Sequence, residues 1–169
     1  GAHPYQTVDV VLVAAHLITA VQSIVARNVR PIDSAVVSLC AIQAGDLGAF
    51  SVLPGEATLV GTVRTFDHAV QALVERRLQE LCSAVGLAFG ATVALDYQRI
   101  YPATINTEAE AQFAGDVAVA LLGAENVVRD LEPSMGAEDF SFMLQTKPGA
   151  YLRIGQGMGA SGVALHNSR

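Results

Sequence analysis

An α+β fold is what the 169 residues predict, on three observations. Two β-rich runs are spaced to pair as a hairpin, two amphipathic helices each open on an aspartate, and an alanine-rich helical tail follows a Tyr-Pro linker. The strand that organises the rest is residues 57–66, ATLVGTVRTF, where β-branched residues dominate and no proline or charge intervenes before Arg64. Alternation puts Leu59, Gly61, Val63 and Thr65 on one face and Thr58, Val60, Thr62 and Arg64 on the other. Arg64 is thereby fixed near a strand end, a mount suited to reading a carboxylate, because its planar fork offers two parallel hydrogen bonds. Taken alone, the position reads first as a solvated surface Arg.

The other elements follow in order. Residues 1–5 are extended or turn-like, because Pro4 disfavours the helical region for His3. Asp9 is the N-cap of a helix running to about Asn28. Its polar stripe is His16, Thr19, Gln22/Ser23 and Arg27, so roughly three quarters of its circumference is expected to be buried, with His16 on the exposed side. Residues 34–43 are the next strand. The loop after it carries Gly45 and Gly48 around Asp46 and closes in a Pro54-Gly55 turn; without GxxxxGK[ST] it is no phosphate loop. Strand 57–66 then pairs back on 34–43. Asp67 caps a second helix to about Ala84, with Val70, Leu73, Val74, Leu78, Leu81, Cys82 and Val85 inward and His68, Glu75, Arg76, Gln79 and Glu80 outward. Gly86 and Gly90 end it, and residues 92–99 form a third strand. Helix-strand-strand-helix-strand, with one strand placed in front, is the βαββαβ split unit of ferredoxin-like folds: an antiparallel sheet with two helices on one face. In that topology the first strand lies inside the sheet, so residues 1 to about 100 are expected to lack a central strand.

The character changes after Tyr101-Pro102. Thr107 caps a helix over 108–122, whose early Glu108 and Glu110 suit its N-terminus. Residues 127–131 suggest a short strand, and Ser134 or Asp139 opens a short helix to about Gln145. Pro148-Gly149 turns the chain into a strand over 150–154. Glu138 and Asp139, beside aromatics, read as acids dressing a helix N-terminus. A lone His166 is no metal site without further ligands.

Composition narrows the function classes. Apolar residues make up 51% and charged residues 15%, which excludes a disordered chain. The net charge is -6, and beyond Arg76-Arg77 no Lys/Arg cluster exists, so no nucleic-acid partner is expected. The apolar run 10–26 is interrupted by His16, Thr19, Gln22 and Ser23 and is expected to be a core helix and not a membrane span. Cys40 and Cys82, far apart and without a CxxC, read as core thiols of a reduced, cytoplasmic protein. The mean hydropathy of +0.40 points to apolar surface covered by a partner subunit or by further chain.

Several phrases, taken in order, resemble one family. They are Gly1-Ala2-His3-Pro4 followed by Thr7-Val8-Asp9, SIVARNVRPID at 23–33, Ser51-Val52-Leu53-Pro54, Gly61-Thr62-Val63-Arg64-Thr65-Phe66, Tyr101-Pro102 with Asn106, Met135-Gly136-Ala137-Glu138-Asp139-Phe140-Ser141, Pro148-Gly149 with Gly155, and Leu165-His166-Asn167. Together they are similar to metal-dependent amidohydrolases of the aminoacylase/carboxypeptidase type, which include hippurate hydrolases and N-acyl-amino-acid deacetylases. The resemblance implies a ferredoxin-like lid at residues 1–103, making a homodimer, and the C-terminal α/β part of a catalytic domain at 104–169. It implies that Arg64 binds the carboxylate of an N-acyl amino acid, that Ser51 stands where the lid carries an Asn, and that Gly155 lends cleft backbone. It implies that His166 is the last ligand of two divalent ions, zinc or manganese. His3 falls on a variable position and receives no role, and Glu138 lies in a motif other than the one holding the general base. No catalytic residue is assigned. Such a site polarises a water on bridged metals and passes its proton to a Glu; the family carries that Glu and most ligands upstream of the segment resembling Gly1. The chain alone is therefore expected to be inactive and to bind no metal tightly. The competing expectation is a non-catalytic ferredoxin-like module for dimerisation or small-ligand binding.

Overall fold

Both aspartates open helices. The Asp9 carboxylate accepts from the amides of Val11 and Leu12, each at 3.0 Å, and starts α1 (Val10–Val21). The Asp67 carboxylate accepts from Ala69 at 2.7 Å and Val70 at 3.0 Å and starts α3 (His68–Phe89). The computed structural model describes residues 2–155 and divides the chain into two units. One runs to Ala103 and includes Pro133–Gly136; the other comprises Thr104–Glu132 and the chain from Ala137 onward.

In the first unit the opening helix is not continuous to Asn28. It breaks at Gln22 into α1 and a short α2 (Ser23–Arg27). Thr19, Gln22 and Ser23 each turn a side-chain donor back onto a carbonyl, of Ala15, Ile18 and Ala20 respectively, and such back-bonding competes with the helical ladder. The burial expectation is also corrected. Val13, Ala14, Leu17, Val21 and Ile24 are buried, but Val11, Leu12 and Val25 remain exposed, as does His16. By length and hydropathy (1.8) the stretch Val10–Arg27 is apolar enough to cross a membrane. Here its buried stripe is part of the hydrophobic core.

That core unites Leu17, Val21 and Ile24 with Val70, Val74, Leu78 and Cys82 of α3. Its floor is the antiparallel hairpin of β1 (Ala35–Ala44) and β2 (Ala57–Thr65), through Ala35, Val37, Leu39, Leu59 and Val63. The second helix runs past Ala84 to Phe89, where Gly90 takes the left-handed conformation (φ 68°) that ends a helix without strain. The register slips between Leu39 and Ala41, so Cys40 is a bulged residue outside the ladder. This corrects the core reading of Cys40, whose thiol is exposed, while Cys82 is buried and both are free. Gly61 pairs with Leu39 beside the bulge, and a methyl group there would run into the Ser38 carbonyl oxygen and Leu39.

The third strand is absent among the described residues. From Ala91 to Gln98 burial alternates with the two-residue period of a strand, and Val93, Leu95 and Tyr97 pack on the core. Gly86 admits this segment against α3, since a methyl there would lie 2.8 Å from the Ala91 oxygen. No ladder joins it to the hairpin, so the described sheet stops at two strands. Extended backbone becomes strand only when a neighbour takes its hydrogen bonds.

In the second unit α4 (Glu108–Leu122) forms as expected, followed by a 3-10 turn at Ala124–Asn126 and the short α5 (Phe140–Leu144). Residues 127–131 and 150–154 are not strands. Asp139 holds the N-cap place of α5 without a side-chain cap bond.

Two outcomes test this architecture. Gly61→Ala should lower stability by about 2 kcal/mol in urea unfolding, because a methyl group is forced against ladder backbone. Burial raises the Cys82 thiol above its usual range, so a thiol reagent at pH 8 should label Cys40 in the folded chain and Cys82 only after unfolding.

Candidate functional site

Arg64 is the penultimate residue of β2 and pairs with Val36 on the sheet face opposite the helices. Thr62, two residues earlier, shares that face and pairs with Ser38. The Arg64 Nε–H donates to Thr62 Oγ1 at 3.2 Å, and the side chain is partly buried. Arg30, Arg77, Arg99 and Arg129 pair with Asp33, Glu80, Glu75 and Asp116. No carboxylate among the described residues pairs with Arg64, so its terminal nitrogens are open to an incoming anion.

Ser51 lies in the exposed loop that closes the hairpin at the Ala44–Ala57 end. Arg64 is far along β2 from that end, roughly 23 Å at 3.3 Å per residue. The neighbouring Leu47 and Phe50 are 102% and 95% exposed, so this loop does not fold back onto the strand face. The ladder therefore anchors the Ser51 loop at the end of the hairpin opposite Arg64. Gly155, in the second unit, is exposed, and a methyl there would meet nothing within 4 Å. His166 lies outside the described residues. His3 is exposed and faces Tyr5, Nδ1 to Oη at 3.3 Å.

The second unit holds an arrangement that motif reading did not supply. The Asn106 amide donates to the Tyr151 carbonyl at 3.1 Å and accepts from the Tyr151 amide at 2.8 Å. Beside it Thr107 N–H donates to the Gly149 carbonyl at 2.9 Å, and Gly149 N–H donates to Thr107 Oγ1 at 3.1 Å. Thr107 thus spends its hydroxyl on Gly149 and does not cap α4. An asparagine amide reproduces the donor and acceptor of a backbone peptide, so residues 149–151 are bonded as a strand would be, without a strand. The Tyr151 ring lies against Phe140, centroids 5.8 Å apart. Loss of solvent, and then the hydrogen bond with Glu138 and its charge, push the Tyr151 phenol above its ordinary value. Glu138 is thereby engaged with a tyrosine. Ser141, 1% exposed, donates to the Glu138 carbonyl at 2.6 Å and completes the knot.

A two-metal centre needs several ligands gathered in one place. Among the described residues no group of three or more His, Cys, Asp or Glu side chains could hold a metal ion. The described residues by themselves do not make up such a centre.

Residues 6–169 match the model of peptidase family M20/M25/M40. The chain belongs to this family. It is 34% identical over 168 residues to the hippurate hydrolase of Campylobacter jejuni, covering 99% of this chain and 43% of that protein. It is 33% identical over 169 residues to the N-acetyldiaminopimelate deacetylase of Shouchella clausii, covering 100% of this chain and 43% of that protein. Among solved structures, one described as an aminohydrolase from methicillin-resistant Staphylococcus aureus superposes with a TM-score of 0.71 at 26% identity, covering 88% of this chain and 38% of that one. This M20/M25/M40 chain thus spans well under half the length of these relatives. M20-family enzymes are metal-dependent.

The raised Tyr151 phenol, shifted by loss of solvent and then by Glu138, sets a pH response for the second unit. A phenol pKa raised on folding favours the folded state below the ordinary tyrosine value, and that advantage disappears as pH rises through the raised value. An NMR titration should find the Tyr151 ring ionising above the ordinary tyrosine value, with Glu138→Gln bringing it down.

Proposed function

We propose that the chain is part of a metal-dependent amidohydrolase that cleaves N-acyl amino acids of the hippurate type, with Arg64 reading the substrate carboxylate. The observation that carries this reading is the partly buried Arg64, unmatched by any described carboxylate and opening its terminal nitrogens on one sheet face. The similarity to a hippurate hydrolase over nearly the whole chain supports the same substrate class.

On this reading residues 1–103 are the ferredoxin-like lid and 104–169 the C-terminal part of the catalytic domain. Support for the lid comes from residues 92–99, which keep strand alternation and core contacts without a ladder partner. One further strand, antiparallel to both β2 and 92–99, would join them into the four-stranded sheet. A homodimer through the lid accounts for two observations. The open face and helix exterior expose Val11, Leu12, Val36 and Val60, and the ladder separates Ser51 from Arg64, so the Ser51 loop would serve the partner's substrate.

Zinc or manganese ions, with His166 as one ligand, would supply a polarised water for amide hydrolysis. The described residues of this chain contribute recognition. Arg64 holds the carboxylate end of the amide, and the Asn106–Tyr151–Glu138 knot fixes the backbone leading to Gly155. The general base lies on polypeptide other than these residues.

Steady-state hydrolysis of hippurate by the full-length protein tests the proposal. Arg64→Ala should reduce kcat/KM by about 2–3 kcal/mol, chiefly through KM; Arg64 is only partly buried, which places the loss at the low end for a charged pair. An unchanged KM would remove Arg64 from the carboxylate role.

A further inference from the structure

We propose that Thr62 is a positioning residue for Arg64: by occupying Nε it aims the guanidinium so that a substrate carboxylate docks end-on, across the two terminal nitrogens. This rests on the carboxylate reading above and extends it to the geometry of recognition.

A guanidinium can grip a carboxylate side-on, through Nε and one Nη, or end-on, through both Nη groups. The single Nε–H is already donated to Thr62 Oγ1 at 3.2 Å. The side-on mode would break that bond, whereas the end-on edge is free. The hydroxyl is a firm anchor for three reasons. Thr62 and Arg64 are two residues apart on one strand and so project from the same face. β-branching leaves the Thr62 side chain few rotamers in which to swing away. The backbone beneath both residues is held by ladder pairs to Ser38 and Val36. No acceptor other than Thr62 is given to the guanidinium by the described side chains. An arginine ordered before the ligand arrives loses less side-chain entropy on binding, which is worth roughly 3–10-fold in affinity for one long side chain.

The test compares hippurate with its uncharged carboxamide in the full-length protein. Thr62→Val keeps shape and strand preference but cannot accept from Nε. It should raise KM for hippurate by about 3–10-fold, as expected for releasing one ordered side chain, with kcat and the carboxamide KM unchanged. Thr62→Ser should restore the wild-type KM. In an Arg64→Ala background Thr62→Val should have no further effect, because its influence passes through Arg64. In parallel, the Arg64 Nε–H should exchange slowly in wild type and Thr62→Ser, and fast in Thr62→Val.

Equal KM increases for acid and carboxamide, an undiminished Thr62→Val effect without Arg64, or unaltered Nε–H exchange would each overturn the proposal. If Arg64→Ala itself leaves the hippurate KM unchanged, the carboxylate reading has failed. If Arg64→Ala impairs hippurate and Thr62→Val does not, the failure belongs to Thr62 alone.

Discussion

One apolar stripe from each helix, pressed onto the inner face of a two-stranded hairpin, is the constraint on which the first unit depends. Ile24 and Val74 are fully withdrawn from solvent, and around them Leu17, Val21, Val70, Leu78 and Cys82 close against Val37, Leu39, Leu59 and Val63. Fixing which hairpin face is inner also fixes which is outer, since a strand has two faces and a period of two. With Leu59 and Val63 committed to the core, Thr62 and Arg64 have no choice but the opposite side. The polar site is thus a consequence of apolar packing, decided by residues that never touch a ligand.

The bulge at Cys40 protects that arrangement. β1 turns Val37 and Leu39 inward, and beyond the bulge it pairs Ile42, itself still exposed, with Leu59. An unbroken alternation would put residue 42 on the outer face, so one residue is set aside and the phase resets. The misfit is absorbed opposite Gly61, where only a hydrogen fits beneath the Ser38 carbonyl. A glycine in an otherwise β-branched strand weakens it locally; here it is what lets the partner strand change phase while the Thr62–Arg64 pair stays in register with Ser38 and Val36.

The second unit solves a related problem by other means. Residues 149–151 are half-buried with no adjacent strand, and such peptide groups must still be satisfied. The Asn106 amide and the Thr107 hydroxyl stand in for the missing ladder, and the Tyr151 ring links the same segment to Phe140 and Glu138. This explains why 150–154 carries strand-like composition yet is not a strand. It also gives the Glu-Asp pair at 138–139 a structural role: Glu138 faces a tyrosine and Asp139 occupies a helix end.

By itself the sequence determined the local elements: the Asp9 and Asp67 caps, the amphipathic stripe of α3, the pairing of residues 34–43 with 57–66, and the face on which Arg64 stands. Each of these is set by neighbours within a few positions, through capping geometry and side-chain period. It also carried the ordered motifs that mark the family. Only the tertiary structure decided that Cys40 leaves the ladder, that the opening helix breaks at Gln22 and buries a narrower stripe, and that 92–99 and 150–154 are not strands. The same holds for the opposite-end placement of Ser51 and Arg64 and for the Asn106 clamp, which joins positions more than forty residues apart. The physical reason is common to all of them: each depends on which distant backbone or side-chain group is present to accept a hydrogen bond or fill a face, and periodicity records only what a residue's own neighbours require.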